Sequence, residues 1–488
     1  MPPVARGEVL ELEVTGLATG GRGLAKLDRY VVFVEGALPG DRVRARITRS
    51  KGRYAESVAV ERLSAGPDRV EARCAHVSVC GGCRFQDYDY AAQLLHKQQA
   101  IRDSMTHLAA LDIPVREVRP SSDIFHYRNK MEFSFGAAED GRVSLGLHHR
   151  GRFDTIFNLS ECHICPPAMN RTVEVLRALA RRDGLPAYDL RSHEGELRFV
   201  ALRESRATGE LLVNLVSAEP RVDVFGSWAL ELAREVPSLR GFVFSLHRGQ
   251  AQAVQAESWQ LLWGEDRIVE RLNGLEFEIS PWSFFQTNSA QAEVLYREAL
   301  AAAELVPEDR VLDLYCGTGT LTLTFARECA AAWGVETVEE AVRDAVRNAE
   351  RNFGRGMRTT AARAPGAVAP AVSASSEPGQ LGAPDVRFFA ADARPWLRLG
   401  GAKELEPTVV VVDPPRAGLH PRVIDRVCEL RPRRVVYVSC NPTTLARDLA
   451  HFARLGYRAP WIQPVDMFPH TDHVECVAAL EPGEPPPA

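Results

Sequence analysis

Two residues near the end of the sequence pair a possible nucleophile with a possible base. Cys440 lies in VVYVSCNPTTLARD and Glu475 in HVECVAAL. The apolar run before Cys440 predicts a buried strand, and Asn441-Pro442 followed by two threonines predicts its exposed end. In a parallel sheet such ends open onto the ligand crevice. Asp413-Pro-Pro-Arg416 ends another apolar run and is expected to face the same crevice. A thiolate beside a methyl donor suits methylation of a pyrimidine at carbon 5. Addition at carbon 6 turns the ring into an enolate, whose carbon 5 then attacks an electrophilic methyl group. Release requires a base to take the carbon-5 proton, and Glu475 sits on a strand that could return beside the sheet. The plainer readings are a core cysteine and an ion-paired glutamate; finding both residues in one chain weighs against them.

The donor pocket is expected around Asp313-Leu-Tyr-Cys-Gly-Thr-Gly-Thr320, which follows a predicted strand and opens a helix. Gly317 and Gly319 let the backbone turn tightly, and the helix N–H groups can meet a carboxylate. Glu336 ends the next strand 23 residues beyond Asp313, where a carboxylate can accept both ribose hydroxyls. Asp392 ends a further strand, in FFAADA, placed to meet an adenine amino group. The P-loop lysine and the full G-x-G-x-x-G pattern are both missing, which favours S-adenosylmethionine over ATP or NAD.

A second chemistry is carried by cysteines. Ten are too sparse in 488 residues for a disulfide scaffold, yet Cys74, Cys80 and Cys83 cluster, and Cys162 and Cys165 form a pair. A set of four thiolates binds zinc or an iron–sulfur cluster. His76 and His163 could replace a cysteine, and Cys165 competes with Cys162.

These groups need at least two domains to position them, because 488 residues exceed one compact core. Hydrophobic residues at 45% and charged residues at 25% exclude a disordered, collagen-like or coiled-coil chain. No apolar run is long enough for a membrane span, and the first residues lack a secretory layout, so a cytoplasmic protein is expected. Residues 1–64 read as short strands with glycine turns, an OB-like barrel. There eleven Lys/Arg exceed eight Asp/Glu, and the run from Arg42 to Arg53 has six basic residues and no acid. That run suits RNA contact or a solvated strand face, although the net charge of the chain is −5. Residues 65–284 read as a mixed α/β region carrying the cysteine segment. Residues 285–480 alternate helix and apolar strand, a doubly wound, Rossmann-like sheet. Within it, 355–384 is rich in Ala, Pro, Gly and Ser and is expected to be a flexible insertion, and 481–488 a disordered tail.

Together, FFQTN (Phe284 to Asn288), DLYCGTG, DPPRAG, SCNPTTLARD and HVECVAAL resemble the RNA uracil-5 methyltransferase family over nearly the whole chain. The resemblance implies Cys440 as nucleophile and Glu475 as base. It implies Gln286, Tyr315, Glu336 and Asp413 as residues binding S-adenosylmethionine, with Thr320 and Asp392 at more variable positions. It implies that residues 1–64 are a TRAM domain, and that Cys74, Cys80, Cys83 and Cys162 hold a four-iron four-sulfur cluster of structural or RNA-positioning role. Phe284 and Phe285 are expected to wall in a uridine swung out of its stack. The expected substrate is RNA, 23S ribosomal RNA ahead of transfer RNA, and the expected state a monomer. A cytosine-5 RNA methyltransferase, in which Glu475 would lack its role, and a catalytically silent RNA-binding iron–sulfur protein are the remaining alternatives.

Overall fold

The computed structural model describes residues 3–138, 140–250, 256–354, 361–363 and 384–483. Its first five strands are β1 (Val9–Ala18), β2 (Arg22–Leu27), β3 (Tyr30–Glu35), β4 (Arg42–Ser50) and β5 (Tyr54–Ser64). They close into a barrel in the order β1-β2-β3-β5-β4. Alternation decides which face is inside: Val43, Ala45 and Ile47 are buried in the barrel while Arg42, Arg44 and Arg46 point outward. The basic strand is partly neutralised. Arg42 and Arg44 reach Glu11, and Arg44 also meets Glu61 at 2.8 Å.

The cysteine segment leads into helix α1 (Tyr90–Ser104), which Asp89 caps by accepting from the Ala92 N–H. The central sheet contains β6 (Lys130–Ala137), β7 (Val143–His148), β8 (Ile156–Asn158), β9 (Leu197–Glu204), β10 (Leu211–Ser217), β11 (Leu239–Leu246) and β12 (Ser258–Gly264). Their order is β12-β11-β10-β9-β6-β7-β8. Helices α2 (Pro167–Arg182) and α3 (Val222–Glu235) bury Leu176, Phe225 and Trp228 in the same core. The hairpin β13 (Ile268–Leu272) and β14 (Leu275–Ile279) then packs into the next core, beside α4 (Ser289–Ala303).

The C-terminal sheet holds β15 (Arg310–Leu314), β16 (Ala331–Glu336), β17 (Ala361–Arg363), β18 (Asp385–Ala390), β19 (Val409–Val412), β20 (Arg434–Ser439), β21 (Tyr457–Arg458), β22 (Ile462–Val465) and β23 (Glu475–Pro482). It is interleaved with α5 (Thr320–Ala326), α6 (Glu339–Phe353), α7 (Ala393–Arg398), α8 (Pro421–Glu429) and α9 (Pro442–Arg454). The order is β17-β18-β16-β15-β19-β20-β23-β21, with β22 also paired to β23. Strands β15, β16, β18, β19 and β20 run parallel, and β23 enters antiparallel between β20 and β22. This is the expected doubly wound sheet. Its central strands, such as β19 and β20, are buried along their whole length, which explains the apolar runs Val409–Val412 and Val435–Val438.

Two expectations are corrected. Residues 361–363 are not loose insertion but an edge strand, parallel to β18 with Ala361 opposite Phe388; the rest of 355–383 lies outside the described residues. Glu481 and Pro482 belong to β23, and Glu481 pairs with both Arg434 and Arg458. The tail proper, 484–488, lies outside the described residues. Among the described residues no helix is long and apolar enough to cross a membrane.

Candidate active site at the strand ends

The donor pocket forms where β15 stops. Tyr315, Gly317 and Gly319 all take positive φ (71°, 54° and 82°), folding the chain back before α5 begins at Thr320. Only glycine fits the last of these: a Cβ at position 319 would lie 3.0 Å from the Phe388 ring and 3.1 Å from the Ala345 methyl. The resulting cavity is lined by Gln286, Tyr315, Thr320 and Asp413, four of the six expected cofactor residues. Asp313 and Tyr296 line it too. Sequence reasoning used Asp313 only to mark the motif, although its place at the end of an apolar strand was a usable signal. Its Oδ2 accepts from the Thr322 hydroxyl at 2.6 Å, while Oδ1 is buried without a partner.

The other two expected residues lie around the turn. Glu336 accepts from the Gly317 N–H at 3.2 Å and from the Val338 N–H at 2.9 Å. Asp392 is exposed and caps α7 by accepting from the Arg394 N–H at 2.9 Å. It does not line the cavity, although its charge reaches Tyr315. Burial, then Asp392, Asp448 and Glu336, push that phenol up to about 12.

Strand register joins the nucleophile to the base. Ser439 of β20 faces Cys476 of β23, so the next positions outward, Cys440 and Glu475, emerge side by side at the open end. Cys440 is half-buried and Glu475 is buried at 4% exposure. Burial, with repulsion from Glu475 and Asp413, pushes the Cys440 thiol up to about 11, and the Arg416 guanidinium opposes the rise. Burial and Asp413 push Glu475 up to about 8, again opposed by Arg416. Burial raises Asp413 to about 7 and, with Asp413 and Glu336 nearby, Asp313 to about 8. Three carboxyl groups thus crowd a low-dielectric cleft, with Arg416 opposing the rise at Glu475, an arrangement suited to a cationic ligand.

Local sequence fixes the loops that carry these groups. Asn441 caps α9 by accepting from the Thr443 N–H at 3.0 Å, and Pro442 occupies the first helical position. The Asn441 side chain also donates to the Arg416 carbonyl at 3.1 Å, tying the loop after β19 to the loop after β20. Asp448 reinforces the tie, accepting from the Leu419 N–H and the Tyr437 hydroxyl, each at 2.7 Å. Gln286 is held from the central region, where Asn129 donates to its carbonyl at 2.9 Å. The two expected wall residues separate. Phe285 is buried against Phe277, with ring centroids 6.1 Å apart, whereas Phe284 is 68% exposed at the mouth. Both still line the cavity, and their different exposure follows from chain geometry: neighbouring side chains in an extended segment point opposite ways.

The cysteine segment wraps around Arg150, whose guanidinium donates to the carbonyls of Val77, Cys80 and Cys83 at 2.9, 3.1 and 3.2 Å. Burial raises the pKa of Cys74, Cys80 and Cys83, and the nearby Cys162 thiol adds to the rise in each. Cys165 instead turns into the core, its thiol donating to the Cys162 carbonyl at 3.4 Å. His76 bonds Ser160, and the His163 ring lies 3.3 Å from Glu161. Among the described residues no group of three or more His, Cys, Asp or Glu is arranged to hold a metal ion, so the expected cluster is not shown.

A parallel sheet with one antiparallel strand near its far edge, and a glycine turn opening an acid-lined pocket at the strand ends, defines a Rossmann-like S-adenosylmethionine-dependent methyltransferase. Residues 3–60 match the TRAM domain, and residues 89–360 and 381–482 match the tRNA (uracil-5-)-methyltransferase family. The chain belongs to this family of S-adenosylmethionine-dependent RNA methyltransferases. It is 38% identical to an uncharacterized RNA methyltransferase of Chlorobaculum tepidum, over 98% of this chain and 97% of that one. It is 34% identical to another from Halalkalibacterium halodurans, over 98% of each. Among solved structures it is similar to the Pyrococcus abyssi tRNA (uracil-54, C5)-methyltransferase in complex with S-adenosyl-L-homocysteine. The two share 29% identity and a TM-score of 0.73, covering 96% of this chain and 99% of that chain.

Proposed function

We propose that this enzyme methylates carbon 5 of a uridine in 23S ribosomal RNA through a covalent bond from Cys440. The observation that carries the reading is the β20–β23 register, which sets a thiol beside a buried carboxyl, both close enough to the pocket's Asp413 to feel its charge. The Cys440 sulfur adds to carbon 6 of the uracil, and the electron pair of the ring double bond moves toward carbon 4. S-adenosylmethionine supplies the methyl group that carbon 5 takes up. Glu475 then accepts the carbon-5 proton, the double bond reforms, and the carbon–sulfur bond breaks to return the Cys440 thiolate. Gln286, Tyr315, Thr320 and Asp413 hold the donor from within the cavity, with Glu336 and Asp392 beside the turn. The exposed Phe284 ring offers a face for the extruded base.

Cys74, Cys80, Cys83 and Cys162 are read as ligands of a four-iron four-sulfur cluster of structural or RNA-positioning role. The donor set supports it. Thiolate sulfurs need N–H donors, and Gly82 N–H points at Cys80 sulfur (3.3 Å), His76 N–H at Cys74 sulfur (3.4 Å) and the Gln86 amide at Cys83 sulfur (3.6 Å). Full RNA affinity and an unchanged melting temperature in a cluster-free preparation would overturn that role.

Transfer RNA is the second reading, favoured by the similarity to the Pyrococcus abyssi tRNA (uracil-54, C5)-methyltransferase. Labelled methyl transfer to 23S and transfer RNA transcripts separates the two. Cys440→Ala should abolish transfer and still bind S-adenosylmethionine, and Glu475→Gln should trap an RNA adduct that survives denaturant. No adduct with Glu475→Gln would refute the assignment of the base.

A further inference from the structure

The loop that delivers Glu475 to the cleft is anchored on the cysteine segment. Residues 466–474 connect β22 to β23, and residues from a distant stretch of the chain grip them. Two consecutive N–H groups, those of Arg84 and Phe85, donate to the single His470 carbonyl at 2.9 and 3.0 Å. They directly follow Cys83. The Gln93 side chain closes the other side: its Oε1 accepts from the His470 N–H at 2.9 Å, and its amide donates to the Phe85 and Tyr88 carbonyls at 2.9 and 2.8 Å. Lys97, fully buried, donates to Asp466 at 2.6 Å and to the Phe468 carbonyl at 3.0 Å. The Tyr127 hydroxyl donates to the Pro469 carbonyl at 3.0 Å.

This grip imposes a backbone that a side chain resists. His470 has φ +65°, in the left-handed region, while its ring is buried against Phe125 with centroids 4.6 Å apart. A non-glycine residue stays there only where its surroundings over-determine it. Turning the peptide this way aims the carbonyl at the Arg84 and Phe85 N–H groups. Five residues later the chain enters the sheet at Glu475.

We propose that His470, clamped by Gln93 and the Arg84 and Phe85 N–H groups, is a positioning residue for proton abstraction by Glu475. This rests on Glu475 being the base. The step at stake is elimination: the carbon-5 proton passes to the carboxylate, its electron pair forms the carbon 5–carbon 6 bond, and the carbon–sulfur bond breaks with its pair returning to sulfur. Loosening the clamp displaces the carboxyl from carbon 5 and leaves Cys440 and the donor pocket intact, so the slowed step is release.

The test compares Gln93→Leu, His470→Val and His470→Asn in the full chain, using whichever of the 23S and transfer RNA transcripts the wild type methylates. Valine is poorly tolerated at positive φ, whereas asparagine accepts it. The expected result is a kcat at least about tenfold lower for Gln93→Leu and His470→Val. KM for S-adenosylmethionine should stay near wild type, and covalent RNA–protein adduct should build up during turnover on denaturing gels. His470→Asn should restore turnover without adduct. A fall in kcat with no adduct, or an Asn variant as impaired as the Val variant, would overturn the proposal. Glu475→Gln run alongside separates the two readings. Adduct there but none in the clamp variants sinks this inference alone, and no adduct there removes the base assignment beneath it.

Discussion

The Arg416 guanidinium lies 3.2 Å from the Nε2 atom of His473, bridging the loop after β19 to the loop that leads into Glu475. It is the positive charge that lowers both the Cys440 thiol and the Glu475 carboxyl, against burial that raises them. Arg416→Met should therefore move both groups upward. The alkylation rate of Cys440 by iodoacetamide, followed against pH, should shift its midpoint to higher pH by up to about one unit. An unmoved profile would show that solvent screens the guanidinium from the thiol.

The three crowded carboxyls predict a pH-dependent preference for a cationic donor. Asp413 ionises near 7, and Asp313 and Glu475 near 8, each above its ordinary value because of burial. Between pH 6 and 9 they become anions, so affinity for the sulfonium of S-adenosylmethionine should rise across that window. Affinity for uncharged-sulfur S-adenosylhomocysteine should rise less. Linkage carries the opposite sign for the ligand-free protein. A carboxyl whose folded pKa is raised stabilises the fold below its unfolded pKa, and that contribution is lost as pH climbs through the folded value. The melting temperature of the ligand-free protein should fall from pH 6 to pH 9, and the donor should restore more of it at the higher pH. Calorimetric titration in buffers of different protonation enthalpy should also detect protons released on binding.

At Gly319 the space and the backbone agree. Gly319→Ala combines a positive φ with contacts of 3.0 and 3.1 Å to Phe388 and Ala345. It should cost about 1–3 kcal/mol in stability and weaken donor binding about tenfold or more, as read by urea denaturation and equilibrium dialysis.

The two adjacent candidate thiols should separate cleanly. Cys162 lies near enough to raise the Cys83 thiol, itself raised chiefly by burial, and Cys165 is fully buried. On the proposed cluster reading, wild-type protein should purify with iron and sulfide, Cys162→Ser should lose them, and Cys165→Ser should keep them. Equal losses would mean that Cys165 serves as the ligand.

Much of the catalytic end was legible because strand ends announce themselves. Apolar runs stopped by Asp-Pro-Pro and Cys-Asn-Pro placed Asp413 and Cys440 on one rim, and the parallel order of β15, β19 and β20 put them there. Other features depend on partners far away in the chain. Nothing local distinguishes Phe284 from Phe285, because which ring faces the core is set by the hairpin bearing Phe277. Ala361–Arg363 sits in an Ala- and Pro-rich stretch with no strand pattern, and only the exposed edge of β18 recruits it. Glu481 reads as the first residue of a polar tail, yet Arg434 and Arg458 hold it on the sheet. The core shared by β13, β14 and α4 crosses the boundary expected at 284–285, since one helix face collects apolar residues from both sides of it.

The antiparallel insertion of β23 also orders events during synthesis. Until residues 475–482 leave the ribosome, β20 is an unpaired sheet edge of buried valines and a tyrosine. The sulfur reaches its loop before the carboxyl arrives, so on the proposed mechanism a chain without β23 carries the nucleophile and lacks the base. On that mechanism, completing the sheet and acquiring turnover are one event.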